Sequence, residues 1–583
     1  MQIQNIVQNV IYTEIANCQD CYRCVRVCPV KAISVIGDQA HIEDDLCIKC
    51  GTCVKECPQH AKTIRSSVDF VKNLITSDRE VAVSVAPSFA AIYSGDLTSK
   101  LPTALKNLGF DYISETAEGA KLVTEASFND KKTGSICTAC PAVVNYIETY
   151  KPEFLDLLMS TTSPMVAHGR LLKKRYGKDC AVVFIGPCAA KKEEALRPEN
   201  SDAIDAVLTF TELADWFDEE GIQVKECEPT GFESYGVLDQ ARLFPLQGGM
   251  LKTGNISCDG TNANIMHISG ADNILGLLDI PMRDWVYQIV EPLFCADGCI
   301  NGPGFPMDKN IFIRKQEIIS YAEKTSASQN ILKEDQQNPI DPQICYQTQF
   351  VSKDPSNILE EVSEETIQQI FDKTGKSNPD LQLNCGACGY KSCKDNAIAI
   401  ARGLAGPEMC MPYMRRLAHQ RTDKIIETTP NGVVILDENL KIINMNPAFK
   451  KMFMCNNNIL GKRISYLLDS DNFEKLAVGK TEITECIKTK YGIKYHEAAY
   501  ALRDESQYVG IYSDVTDLKF DDSQIDLIKN QTLEHARELL DHQISFSQEM
   551  AYYLGKSTAQ GEELLKRIMD LYEENSDSKR RII

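Results

Sequence analysis

The hydrophobic pattern changes character several times along these 583 residues. Apolar runs such as Val81-Ala82-Val83-Ser84-Val85 and Ala181-Val182-Val183-Phe184-Ile185 are short and rich in β-branched residues. Each leads into a Pro or Gly turn and then a helical stretch, so residues 78–325 predict an α/β domain. Residues 326–380 are polar, dominated by Gln, Asn, Asp and Glu, and predict a connector with one or two helices. A further domain, 421–520, carries a strand and turn at Pro430–Asp437. A strand leading into a helix follows at Ile442–Phe449, and a closing strand at Tyr508–Thr516. In the final segment, 521–583, Leu533, Ala536, Leu540 and Ile544 recur at three- or four-residue steps. That stripe predicts a helix needing a partner surface, as in a homodimer. No run of 18 or more apolar residues interrupts this pattern.

Cysteine spacing changes the picture most. The chain has 23 cysteines, too many and in too long a chain for a small disulfide scaffold. Cys18, Cys21, Cys24 and Cys28-Pro29 follow C-x2-C-x2-C-x3-C-P, and Cys47, Cys50, Cys53 and Cys57-Pro58 repeat the pattern 29 residues later. Residues 1–70 therefore resemble two-cluster ferredoxins, in which the fourth cysteine of each set ligates the other cluster. The resemblance implies electron transfer rather than bond chemistry. Cys385, Cys388 and Cys393, with Cys410 seventeen residues on, form another four-thiol set within 381–415. It resembles the small 4Fe–4S module of corrinoid and redox proteins, with Ala397 and Ala399 on a helix between the last two ligands. Zinc suits four thiolates as well, but the thiolate-rich company favours iron–sulfur.

Composition narrows the rest. The net charge of −20 argues against a general nucleic-acid or anionic-membrane surface. The start, Met1-Gln2-Ile3-Gln4-Asn5, lacks a basic n-region, so no export signal or membrane anchor is expected and a cytoplasmic setting is. Length alone predicts several domains, a multidomain combination of α/β and α+β folds.

Four more cysteines come from three distant motifs: Cys137-Thr138-Ala139-Cys140-Pro141, Gly186-Pro187-Cys188 running on to Lys191 and Glu194, and Glu291 through Cys295 to Cys299. Thiolates drawn from separate loops suggest a cluster where several elements meet. On these motifs the segment 78–325 resembles the catalytic domain of FeFe-hydrogenases. The resemblance implies an H-cluster, a 4Fe–4S cluster joined to a diiron unit with CO, cyanide and a dithiolate. Cys140, Cys188 and Cys295 match its ligands and Cys299 its bridging ligand. It also implies that Lys191 donates to a cyanide and that Glu194 holds Lys191, where the alternative is a surface helix pair at i, i+3. Ala86-Pro87-Ser88 and Ser163-Pro164-Met165 match turns that line the diiron pocket. Departures accompany these matches. Ala139 stands where catalytic members carry the proton-relay cysteine, and a methyl group moves no proton. Gly186 and Leu293 replace methionines, Met165 a glutamine and Val143 a tryptophan. Cys137 is a candidate substitute relay.

Residues 421–520 resemble a PAS sensor domain through the Asn446-Pro447-Ala448-Phe449 turn, read there as ending the first strand. His535 and His542 on the last segment invite comparison with a phosphoacceptor helix, yet no Gly-rich ATP-binding domain follows, so solvated helix histidines are expected. Together the resemblances imply a sensory FeFe-hydrogenase that converts H2 slowly and relays redox state through three additional 4Fe–4S clusters to the PAS domain. Two alternatives stand beside it: a catalytic hydrogenase with a non-standard proton path, and a non-enzymatic iron–sulfur assembly scaffold. Implied partners are H2 and protons, hydrogenase maturation proteins, a ferredoxin-like redox donor or acceptor, a downstream kinase, phosphatase or regulator, and a second copy paired through the PAS domain and terminal helix. Cys180, Cys227, Cys258, Cys345, Cys455 and Cys486 show no ligand spacing and are expected to be inert.

Overall fold

The computed structural model describes residues 9–129, 135–234, 238–259, 262–306, 309–329, 346–353, 361–479, 483–502 and 506–516. The chain divides into two compact units, 1–414 and 415–583. The stripe of Leu533, Ala536, Leu540 and Ile544, with His535, His542 and also Cys345, lies outside the described residues. No helix among the described residues is long and apolar enough to cross a membrane.

The first unit is organised by a parallel sheet of four strands, in the order Tyr112–Glu115, Val81–Val85, Ala181–Gly186, Ala206–Thr209. The two central strands are buried along their whole length, as their uninterrupted apolar runs require. Parallel neighbours need crossovers, and helices such as Leu97–Asn107, Pro164–Tyr176 and Ala190–Leu196 supply them. The next helix, Phe210–Glu219, opens on a capping box: Thr209 Oγ1 accepts from the Glu212 amide while the Glu212 carboxylate accepts from that of Thr209. Because Val85 and Ile185 are in register, both strands release their chains at one edge, as Ala86-Pro87-Ser88 and Pro187-Cys188. A second parallel pair, Ile265–Ser269 with Ile289–Leu293, carries the chain into Cys295 and Cys299.

Polar groups beneath this sheet are paired. The ring nitrogens of the fully buried His168 meet the Ser84 and Ser114 hydroxyls at 2.7 and 3.3 Å. Ser114 also donates to Glu118, which Arg175 holds at 2.6 Å. Arg242 grips Glu115 with two hydrogen bonds of 2.6 and 2.9 Å, and both side chains are buried.

Residues before 70 form two antiparallel pairs, Ile11–Thr13 with Lys62–Ile64 and Ile33–Ile36 with Gln39–Ile42. So little chain buries few side chains, and Cys24, Cys28 and Cys53 themselves belong to the core with Ile11, Val25, Ile33 and Leu46. Part of the connector packs on the central domain. Helix Ile311–Gln329 continues past residue 325. Residues 346–353 strap the central domain through Thr162 N to Tyr346 O, Thr348 N to Ser160 O and Lys353 N to Glu148 O, with Lys353 Nζ reaching Glu148 and Glu193 at 3.3 and 3.2 Å. Of the expected connector helices, Glu364–Lys373 is present and packs on Cys393–Ala401.

The second unit holds a five-stranded antiparallel sheet in the order Ile442–Met445, Gly432–Leu436, Gln507–Asp514, Ile493–Leu502, Ile483–Lys490. Helices Pro447–Met452 and Asp471–Ala477 contribute Phe449 and Phe473 to a core shared with Phe453, Tyr495 and Tyr512. The Asn446 turn follows the second strand in chain order, not the first. Its Oδ1 accepts from Phe449 N and Val433 N, both at 2.8 Å, so one side chain caps the helix and ties it to the neighbouring strand.

Two stability effects follow. Burial pulls the His168 pKa down to about 4, whereas an unfolded histidine titrates near 6.5. Protonation therefore favours the unfolded chain, and the first unit should lose up to about 3 kcal/mol as pH falls from about 6.5 to 4. Urea midpoints measured across that window should show this decline, with a shallower slope in His168→Asn. Arg242→Met leaves the Glu115 carboxylate buried without its cation and should cost about 3–5 kcal/mol in the same assay.

Candidate functional site

The duplicated motif produces two sites of like geometry. Left-handed residues recur at matching positions, Asp20 and Lys49, Tyr22 and Gly51, Lys31 and His60, so both loops curl in the same way. One cavity is lined by Cys18, Cys21, Cys24 and Cys57, the other by Cys28, Cys47, Cys50 and Cys53. Each takes its fourth thiol from the other motif, as the two-cluster pattern implies. The third set, Cys385, Cys388, Cys393 and Cys410, also rings one cavity. There Ser392 and Asp395 form a capping box on helix Cys393–Ala401, and Asn384 Oδ1 accepts from the Cys393 amide, fixing that ligand position. Each of the three cavities is thus ringed by four thiols. Among the described residues no three His, Cys, Asp or Glu side chains converge closely enough to hold a lone metal ion. Four thiols around one cavity are a donor set that an iron–sulfur cluster can use. Burial raises the Cys24 and Cys28 thiols to about 11 and Cys50 to about 12. Bound cations are what would ionise them.

At the central site three loops are laced together by their backbones. Cys140 precedes helix Pro141–Tyr150 as its N-cap, Cys188 follows strand Ala181–Gly186, and Cys295 and Cys299 follow Ile289–Leu293. Cys137 N donates to Val290 O, Cys299 N to Pro245 O, and Gly304 N to Pro187 O. Gly302 lets two of the loops touch, since a Cβ there would sit 2.4 Å from Pro187 O and 3.1 Å from Cys299 O. Burial lifts Cys188 to about 12 and Cys295 and Cys299 well above their ordinary range. The charges of Cys140, Cys188 and Cys299 add to the rise at Cys295, which places all four thiols within one electrostatic neighbourhood.

Lys191 opposes that accumulation of charge. Its ammonium is buried rather than on a surface helix face, donating to Glu194 at 2.7 Å and to Ala139 O at 3.4 Å. Ala139 thus meets the site through its carbonyl and a methyl group. Ser88 and Ser163 are buried, and neither hydroxyl finds a partner in the protein. Two orphaned hydroxyls, four convergent thiols and a buried ammonium are a donor set that fits an anionic metal cluster with polar ligands. Ser163 also lines a cavity with Thr138, Pro141, Glu194 and Arg197, and Met165 is fully buried beside it. Gly186 has a local reason: a Cβ there would meet the Phe184 ring at 2.6 Å and Ala86 Cβ at 3.3 Å. Cys137 lies in an apolar cluster with Met159 and Met250, and burial raises its thiol far above the usual range. Nearby Glu291 is pushed up to about 7 by burial although it accepts from the Met250 and Leu251 amides.

Several residues that shape the sites carry no sequence signal. Lys55 of the first domain donates to Asn301 O and Oδ1, both at 2.8 Å, just past Cys299, and Gly51 abuts the Pro303 ring. Lys192, adjacent to Lys191, holds Glu212, Val207 O and Ser67 rather than the cavity. Lys31 and Tyr390 lie between the first domain and the third four-thiol set.

Several family models match parts of the chain. Residues 79–303 match the family model of the iron-only hydrogenase large subunit, C-terminal domain. Residues 17–64 match a 4Fe-4S dicluster domain, 382–412 an Fe-S cluster domain and 420–487 a PAS domain. Iron hydrogenase 1 of Clostridium pasteurianum is 28% identical over 306 residues, 42% of this chain and 53% of that protein. A cytosolic Fe-S cluster assembly factor of Vanderwaltozyma polyspora is 36% identical over 122 residues, 21% of this chain and 22% of that one. A solved FeFe-hydrogenase from Chlamydomonas reinhardtii aligns with 50% of this chain and all of its own at 18% identity, with a TM-score of 0.37. The chain spans about half the length of the first of these relatives. Its central domain belongs to the iron-only hydrogenase family, and the chain is FeFe-hydrogenase-like, joining that domain to iron–sulfur domains and a PAS domain.

Proposed function

We propose that the chain is a sensory FeFe-hydrogenase that binds H2 and converts it slowly. The observation that carries this reading is a complete four-thiol site with its buried Lys191–Glu194 pair, next to a residue, Ala139, that moves no proton. Cys140, Cys188 and Cys295 would hold a 4Fe–4S cluster, and Cys299 would join it to a diiron unit. That group, when bound, supplies the heterolytic splitting of H2 into two protons and two electrons.

The chain's own residues then have distinct tasks. Lys191 presents a fixed ammonium to an anionic ligand, and Glu194 keeps it from rotating away. Ser88 and Ser163 offer buried hydroxyl donors to the same pocket. Ala139 breaks the direct route by which a proton would leave, so turnover is slow while binding and redox change persist. The other three four-thiol sets would hold clusters able to carry the electrons away, and the PAS domain, with a kinase, phosphatase or regulator as partner, would read the outcome. Maturation proteins would deliver the diiron unit, and a ferredoxin-like protein would exchange electrons with the first domain.

The similarity to a cytosolic Fe-S cluster assembly factor favours a second reading, a hydrogenase-like scaffold without a diiron unit. Infrared spectroscopy separates the two. After maturation with the diiron precursor the sensory reading expects CO and cyanide bands, and their absence leaves the scaffold. Where the bands are present, H2 turnover should rise about 100-fold in Ala139→Cys. A wild-type rate matching that of catalytic family members, with no gain in the variant, would establish an intact alternative proton path instead.

A further inference from the structure

Tyr390 lines the cavity of Cys385, Cys388, Cys393 and Cys410, is 4% exposed, and has no hydrogen-bond partner in the protein for its hydroxyl. A buried hydroxyl left unsatisfied is costly, and the acceptors a cluster would bring into this cavity are its sulfurs. The thiols whose charges bear on this phenol are Cys388, in its own cavity, and Cys28, in the first domain. Tyr390, Cys388 and Cys28 share one apolar cluster with Val25 and Met409.

The contact between the two domains here is close and specific. Lys31 gives all three ammonium protons to carbonyls, those of Val25 and Arg26 at 2.9 Å and that of Gly389 at 3.0 Å. The same ammonium stands 5.9 Å from the Tyr390 ring centroid. Arg26 donates to Ala387 O at 3.3 Å, and Val35 N to Leu404 O at 3.1 Å. Gly389 has φ +93°, and a Cβ there would lie 3.1–3.2 Å from Val25 and Arg26 atoms, so a larger residue would push the loops apart. Cys28 in turn belongs to the cavity of Cys47, Cys50 and Cys53, whose loop reaches the central site through Lys55 and Asn301.

We infer that the 385–410 cluster exchanges electrons with the Cys28 cluster across a junction of Tyr390 and Lys31, in which the Tyr390 hydroxyl donates to a sulfur of the 385–410 cluster and raises its potential. One electron leaves the cluster held by Cys28, Cys47, Cys50 and Cys53, which is oxidised, and enters the one held by Cys385, Cys388, Cys393 and Cys410, which is reduced. No bond forms or breaks. The cluster of Cys18, Cys21, Cys24 and Cys57 then lies on a separate branch, so one centre next to the hydrogen site serves two outlets. This rests on reading the four-thiol cavities as 4Fe–4S sites, and not on hydrogen conversion.

The test uses the full chain with reconstituted clusters and no diiron unit, titrated with dithionite against a potential scale and followed by electron paramagnetic resonance. Iron and sulfide analysis comes first; the four four-thiol sets call for four clusters, and fewer than four would overturn the cofactor reading and this inference with it. With all four present, Tyr390→Phe should lower the reduced-to-oxidised ratio of the 385–410 cluster about fivefold at a fixed potential and leave the Cys18 cluster unchanged. Lys31→Met should make both the Cys28 cluster and the 385–410 cluster harder to reduce. An unaltered 385–410 cluster in Tyr390→Phe, or a Lys31→Met shift confined to the Cys18 cluster, would overturn the junction while leaving the cofactor reading intact.

Discussion

The constraint that shapes this molecule is the burial of anionic sulfur. Thiols held in low-dielectric surroundings resist ionisation, and crowding four of them compounds the resistance. The chain answers with lysines placed one by one, although it is acidic overall. Lys62 lowers the thiol at Cys24, Lys31 that at Cys28, Lys49 that at Cys47 and Lys55 that at Cys295. Lys191 does the same for Cys188 and Cys299, and Lys376 for Cys388. Every candidate centre thus has a cation of its own, and several of those lysines are also what fastens one segment to the next.

This dual use explains why the first 414 residues form one unit. Lys55 counters charge near Cys295 while bonding the loop at Asn301, and Lys31 does so near Cys28 while holding Gly389. Part-buried hydrogen bonds from these lysines hold the neighbouring segments at fixed separations. The 346–353 strap belongs to the same design: Lys353 joins Arg197 on Glu148 and Glu193, closing over the helix that starts at Cys140.

Much of this was legible in the sequence because it is local. The strands at Val81 and Ala181, the turn at Asn446 and the cysteine spacings each depend on residues a few positions apart. The burial of the Lys191–Glu194 pair was readable only through its distance from Cys188. What stayed hidden is set by pairing between residues far apart in the chain, from about 50 to more than 350 positions. Lys31 meets Gly389, Lys55 meets Asn301, and His168 meets Ser84 and Ser114, and none of these residue types at those positions is unusual alone. The composition of the connector predicted one or two helices and gave no sign that its carbonyls and amides bond the central domain. Gly186 is a further case, since its smallness answers to Ala86 and Phe184 as much as to any bound group.

The partners of the lysines divide them into two kinds: Lys191 and Lys49 face the carboxylates of Glu194 and Asp44, while others bond neutral oxygens. Lys191 faces the Glu194 carboxylate, so most of its charge is cancelled and what remains is a rigid donor suited to orienting a ligand. Lys31, Lys55 and Lys62 bond carbonyls, a hydroxyl and an amide oxygen, which satisfy the ammonium protons without neutralising them. An ammonium held by neutral acceptors keeps its full field, and a full positive field favours the reduced state of a nearby cluster. The same residue type therefore meets the thiols in two ways, as a paired ammonium near Cys47 and Cys188 and as one held by neutral oxygens near Cys24, Cys28 and Cys295.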